Sequence, residues 1–363
     1  MRLTHIITVF AVVMVLFVTD SSRAQSVLDG IRFSGQFFLT YEFTETNGER
    51  SNEFGLERGY ITFRRNISEK VGIRFTQDIT IDQEGDGEGD IELRLKYAFV
   101  HYNFENFGLL NNPVFEFGVV RRPWTDFEQG INDYRMQGSM FLDRERIAPS
   151  ADYGFIVSSM LGPRLENPDD HNLTSSTAGK YGSFALGVFN GGGYAELEKN
   201  NNKVVEGRLT LRPFWQMAPG VQFTYATAYG RGNSPSEPTF EKHLFYLSYS
   251  SRKLVSAIQY YHGVGDVLAR RLDSFGDGLP MNGYSAFSEI MPFQFPLSLV
   301  FRYDLLNNRE MDQLLKRRGL AGLAWRFQNG SKIMLDFERD TTYPTTGRNI
   351  VRNSWEIATE IRF

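Results

Sequence analysis

From about residue 31 to its last residue, the chain alternates apolar and polar side chains segment after segment. The closing stretch NSWEIATEIRF shows the pattern. Trp355, Ile357, Thr359, Ile361 and Phe363 fall on one parity, and Glu356, Ala358, Glu360 and Arg362 on the other. A period of two is the signature of a strand whose faces meet different media. In a soluble domain a terminal aromatic frays into water and gains little. A strand that closes a ring of strands is specified to its end. The same alternation predicts about sixteen strands, near 31–45, 53–66, 70–82, 90–105, 113–122, 151–161, 181–191, 203–215, 219–231, 240–252, 254–264, 280–293, 295–305, 315–328, 330–340 and 350–363. No segment between them carries a confident helical period.

The N-terminus predicts export. Arg2, an apolar run from Ile6 to Val18 and the small residues around Ser22-Arg23-Ala24 read as a signal peptide over residues 1–24, cleaved before Gln25. Removing Arg2, Arg23 and Asp20 takes Lys+Arg from 39 to 37 and Asp+Glu from 43 to 42, a mature charge of −5. That mild balance excludes nucleic acid as a partner, which needs a basic face. There is no cysteine. The chain holds 31 Phe and 17 Tyr yet has a mean hydropathy of −0.33. Such a chain suits a sheet with an apolar outside and a wet inside. Past residue 24 no apolar run is long enough for a membrane helix. A membrane fold is therefore a closed barrel, because only helices and closed barrels satisfy every backbone group in lipid.

The connections alternate in length. Short turns are expected at 66–70, 216–220, 250–253, 292–296 and 328–331. Longer loops are expected at 46–52, 84–89, 192–202, 232–239, 265–279, 307–312 and 341–349. This is the pattern of an outer-membrane barrel, with periplasmic turns opposite surface loops. The stretch 162–182 falls on the turn side but is long, so it reads as an elaborated turn or a miscounted strand. The connection at about 121–150 is longer still and rich in Trp124, Phe127, Tyr134, Met136, Met140 and Phe141. A loop of that length that can pack is expected to fold inward as a constriction.

At this point the chain resembles the phosphate-selective porin O and P family. The resemblance is densest from about Glu53 to Gly193. It runs through LERGYITFRRNISEKVGIRFTQDI, IELRLKYAFVHY, FEFGVVRRPWTDFEQ with Gly118, Arg121 and Pro123 at matching positions, FLDRERIAPSADYGFIV, and FALGVFNGGG. It implies a sixteen-stranded outer-membrane barrel passing anions or small hydrophilic solutes by diffusion, commonly as a homotrimer. It also implies bilayer lipid and lipopolysaccharide around the barrel, and the barrel assembly machinery as reader of Trp355, Ile361 and Phe363. The family's phosphate-selective members line the pore with arginines and place lysines near the constriction. This loop has no lysine from Arg121 to Asp152. The inward parity is mixed, with Arg74, Arg94, Lys96, Arg208, Arg212, Arg302 and Arg326 against Asp78, Glu92, Glu116, Glu206, Asp304, Asp336, Glu338, Glu356 and Glu360. Phosphate specificity does not carry over from that balance.

Candidate constriction residues are Arg121, Arg122, Arg135, Arg144, Arg146, Asp126, Glu128 and Asp143; candidate wall residues are Arg74, Arg94, Lys96, Arg208, Arg212 and Arg302. Two roles fit the loop arginines: meeting passing anions, or pairing with the loop's own acids to hold its shape. The acidic stretch 82–90 lacks the spacing of a calcium loop and reads as a solvated surface loop. Trp215, Trp325, Trp355, Tyr229, Tyr249 and Tyr303 read as a lipid-interface girdle. No metal motif, nucleophile elbow or cofactor motif is present. The expectation is an outer-membrane porin without enzymatic chemistry; a silent surface adhesin or scaffold and a barrel enzyme are the alternatives.

Overall fold

A computed structural model describes residues 30–82, 87–168, 173–174, 177–292 and 296–363. The segment 1–24, expected as a signal peptide, and part of the acidic stretch, 83–86, lie outside the described residues. Sixteen strands run antiparallel in chain order. They are β1 (Ile31–Thr46), β2 (Glu49–Asn66), β3 (Val71–Ile81), β4 (Ile91–Asn103), β5 (Leu110–Arg121), β6 (Ala151–Leu161), β7 (Gly182–Phe189), β8 (Val204–Leu211), β9 (Val221–Arg231), β10 (Thr239–Ser250), β11 (Leu254–Val264), β12 (Pro280–Ile290), β13 (Leu297–Asn308), β14 (Gln313–Arg326), β15 (Lys332–Thr342) and β16 (Ile350–Arg362). Each pairs with its neighbours and β16 returns to β1, so the sheet is a closed barrel.

The terminal phenylalanine belongs to the closure. Gly35 N–H donates to the Phe363 carbonyl at 2.9 Å, and Phe363 N–H donates to the Gly35 carbonyl at 3.1 Å. Its ring covers Gly35 on the outer face and packs between Phe33 and Phe37, with ring centroids 5.9 and 6.1 Å away. Trp355 and Ile361 share that exposed outer face with Phe75, Leu93, Phe117, Leu186, Phe245, Phe301 and Leu335. A belt of large apolar side chains facing outward all round a barrel needs an apolar medium. Trp325, Trp355, Tyr229, Tyr249 and Tyr303 all stand on it.

Several expectations are corrected. The stretch 46–52 is no long loop: only Asn47 and Gly48, both at positive φ, join β1 to β2. Asn-Gly is the favoured pair for that two-residue hairpin turn, so β2 starts earlier than expected. Between β13 and β14 only residues 309–312 remain. The turn expected at 216–220 begins at 212, because β8 stops at Leu211. The connection 162–181 runs directly from β6 to β7, and the strand count on either side of it is as expected.

The expected wet interior is only partly wet. The segment 122–150 folds inside the barrel as α1 (Pro123–Gln129), a 3₁₀ turn (Arg135–Gln137) and α2 (Phe141–Arg144). Its Trp124, Phe127, Tyr134, Met136, Phe141 and Leu142 form one buried core with inward residues of β9–β16, among them Ala226, Leu244, Tyr246, Ala257, Val300, Met334 and Ala358. Small apolar residues on that wall let the loop approach closely and exclude water, as in any packed core.

A side chain at Gly35 tests the closure, since a Cβ there would lie 2.1 Å from Phe363 Cζ. Gly35→Val must push the ring off the seam. It is expected to cost about 1–3 kcal/mol, read as a lower urea midpoint for loss of the folded gel-mobility form. An unchanged midpoint would mean that the ring does not hold the seam.

Candidate functional site

The inward segment is fixed to the wall from several sides. At its root Arg122, fully buried, pairs with Asp152 at 2.9 Å and Glu206 at 2.8 Å. Glu206 also takes Lys242 at 3.0 Å and the Trp124 N–H at 3.0 Å. Arg208 lies under α1, donating to the Pro123 carbonyl at 3.2 Å with its guanidinium 4.5 Å from the Phe127 ring centre. Farther along, Tyr134 donates to Glu289 at 2.6 Å and Arg302 to the Ser139 carbonyl at 2.8 Å. Asp133 receives Lys332 at 2.9 Å and Arg362 at 2.5 Å. Arg144 pairs with Glu338 at 3.1 Å, and Arg318 reaches Glu145 at 3.2 Å. Arg122, Arg208 and Arg302 are thus anchors of the segment and do not front the open lumen. Arg212 anchors the other inward piece: it donates to the carbonyls of Gly179 and, at 3.2 Å, Thr177.

A cavity lies between the segment and the wall of β1–β5. It measures about 670 Å³, with Arg64, Arg74, Lys96, Tyr97, Arg121, Asp126 and Arg135 among its lining. Arg121 is held by Glu116 at 2.8 Å and Asp126 at 3.1 Å. Arg135 meets the Tyr60 hydroxyl at 3.2 Å and Asp143 at 3.4 Å, closing the gap between segment and β2. Lys96 is buried and, among the described residues, makes no ion pair; it donates to Ser150 at 3.0 Å and Tyr60 at 3.3 Å. Arg94 sits apart, paired with Asp78 at 3.1 Å. Arg146, exposed and at φ 56°, has no ion pair among the described residues.

Two residues that the sequence reading missed complete the site. Arg32 on β1 is directly opposite Arg64 on β2, and Arg64 is directly opposite Arg74 on β3. Three arginines therefore stand in one cross-strand row on the inner wall. Arg32, Arg64 and Arg74 also line, with Arg121, a second cavity of about 410 Å³ below the first. Like charges directly opposed on a sheet are destabilising. No acid pairs with Arg32, Arg64 or Arg74 among the described residues; Arg74 instead lies 4.3 Å from the Tyr97 ring centre and donates to Thr76 at 3.1 Å. Inward parity marks Arg32 and Arg64, but only the register brings the three together.

No family model matches the chain, and no curated protein matches it. Its fold, however, recurs in solved structures. An anion-selective porin from Comamonas acidovorans superposes with a TM-score of 0.60 at 10% identity, over 92% of this chain and 99% of that one. The fold is a porin fold. OmpF of Salmonella typhi, in complex with daunomycin, gives a TM-score of 0.59 at 11% identity, over 91% and 97%. The outer membrane channel DcaP of Acinetobacter baumannii gives 0.58 at 8% identity, over 92% and 97%.

Buried Glu128 is expected to make the docking of the inward segment sensitive to pH. Burial pushes its carboxyl up to about 8, Arg302 offsets this in part, and Asp304 adds to it. From the ordinary value of 4.5 up to about 8, the docked segment holds a proton that the released segment does not. Docking therefore weakens as pH rises through that window, by on the order of a few kcal/mol, and levels off above it. Proteolysis of the segment in refolded barrels should quicken between about pH 5 and 8 and level off above, and Glu128→Gln should flatten that rise. An equally steep rise in the variant would show that Glu128 is not the titrating group.

Proposed function

We propose that this chain is an outer-membrane diffusion porin of a Gram-negative-type bacterium that passes small hydrophilic solutes and favours anions. Residues 1–24 serve as the export signal. The observation that carries the reading is the arginine row Arg32–Arg64–Arg74 facing the lumen without acid partners. A porin's selectivity follows the charge left exposed along its path, not the charge of its whole wall. Most interior acids are paired: Glu116 and Asp126 with Arg121, Asp78 with Arg94, Glu206 with Arg122 and Lys242, Glu289 with Arg326. The mixed composition of the wall therefore understates how basic this passage is.

In this reading the solute meets Arg135 and Tyr60, with Lys96 behind them, where the segment meets β2. It then passes the arginine row toward the end where β1 begins and β16 ends. Size is filtered by the docked segment and sign by the row. The resemblance to phosphate-selective porins fits this class of solute, and phosphate is its natural probe. Trimer assembly, lipopolysaccharide contact and recognition of Phe363 by the assembly machinery carry over from the same resemblance. No catalytic role is proposed. His243, the imidazole with the fullest set of partners (Tyr225 at 2.7 Å, Glu241 at 2.6 Å), stands on the outer face, away from the passage.

Single-channel recording of the refolded mature chain, under a salt gradient, tests the reading. Steady open steps with an anion-selective reversal potential are expected. Changing Arg32, Arg64 and Arg74 together to Gln should lower the anion-to-cation permeability ratio at least a few-fold. A cation-selective wild type would overturn the sign. Folded barrels silent at every voltage would overturn the porin reading and favour a surface scaffold.

A further inference from the structure

On the long-loop side of the docked segment the wall carries a second row of like charges. Glu42 on β1 is directly opposite Glu356 on β16, and Glu356 is directly opposite Asp336 on β15. All three share the inward parity of Phe38, Ala358 and Met334, which the segment covers. Directly opposed residues have Cβ atoms about 4.5–5.5 Å apart, and like charges so placed repel.

The arginines nearby satisfy only the ends of this group. Arg352 pairs with Glu42 and comes within 3.9 Å of Glu338, which already has Arg144 at 3.1 Å. Among the described residues, the side chains of Asp336 and Glu356 make no hydrogen bond and no ion pair, although the Arg144 charge, already paired with Glu338, also acts on Asp336. Asp336 is only 2% exposed, and its buried Oδ2 has no donor. Glu57 adds its charge to the field on Glu356. A carboxylate buried this deeply beside another needs a counter-cation or a proton.

We propose that Asp336 and Glu356, with Glu42 beside them, bind a hydrated divalent cation at the long-loop mouth of the passage. No three carboxylates or imidazoles among the described residues already converge as a metal cage. The site is therefore a carboxylate pair that leaves water on the ion, the manner in which Mg²⁺ is commonly held. The ion changes what the passage sees. Without it, an acidic row on one side of the segment stands in series with the arginine row on the other. With it, the acidic row is neutralised and the arginines govern. Divalent cation thereby raises anion preference, a consequence that rests on the porin reading; the binding itself does not.

Calorimetry of the refolded, detergent-solubilised mature chain with MgCl₂ and with CaCl₂ tests the site directly. One ion should bind the wild type. The double variant Asp336→Asn, Glu356→Gln, shown folded by its heat-modifiable gel mobility, should bind at least about tenfold more weakly. No binding by the wild type up to about 10 mM of either ion would overturn the proposal and leave a protonated pair. Equal affinity in the double variant would overturn it as well. In planar bilayers, added Mg²⁺ should shift the wild-type reversal potential toward anions and leave the double variant unmoved. A barrel that binds the ion but never conducts would keep the site and sink the porin reading.

Discussion

Backbone hydrogen bonding in an apolar medium is the constraint on which the rest of this structure depends. Lipid offers no partner to an open strand edge, so β1 and β16 must find each other. They do so along an eleven-residue register, from Gln36–Arg362 to Thr46–Arg352. The reciprocal bonds of Gly35 and Phe363 extend it to the last residue. Gly35 leaves room for the terminal ring to lie on the seam. Once the ring of strands is closed, every residue is assigned to lipid or lumen by its parity, and a one-residue slip would exchange the two.

Closure also creates an interior too wide for wall side chains to fill, and the segment 122–150 fills much of it. Two kinds of contact hold it. An apolar core with β9–β16 supplies burial, and buried ion pairs fix its pose: Arg122 with Asp152 and Glu206, Asp133 with Lys332 and Arg362, Glu145 with Arg318. Buried pairs add little net stability compared with apolar packing, yet breaking one leaves a costly lone charge. Here they specify where the segment rests, and hence which side of the barrel stays open. The cavity faces β1–β5, where no acid among the described residues forms an ion pair with the arginine row.

The loop arginines divide residue by residue between pairing with acids and lining the cavity. Arg122 is wholly a structural anchor. Arg135 and Arg121 are tied to Asp143, Glu116 and Asp126 and still line the cavity. Arg146 takes part in neither, exposed at the end of α2. Counting charges along the sequence cannot make these distinctions, because an acid partner silences an arginine only if it lies within reach.

By itself the sequence determined the strands, their number, and which face of each meets lipid. These follow from a local period of two and from turn residues, and neither needs to know its neighbours. It also marked 122–150 as a segment that must pack, since exposed Trp, Tyr and Met are costly. Where it misled, local signals competed: Asn47-Gly48 is a hairpin pair inside a polar stretch that otherwise looks like a loop. Only the tertiary structure decided the register that sets Arg32, Arg64 and Arg74 abreast, the pairing that removes most interior acids, and the half of the lumen that the segment leaves open. Those properties depend on which strands stand side by side, and that is settled by closure and packing between residues far apart in the chain.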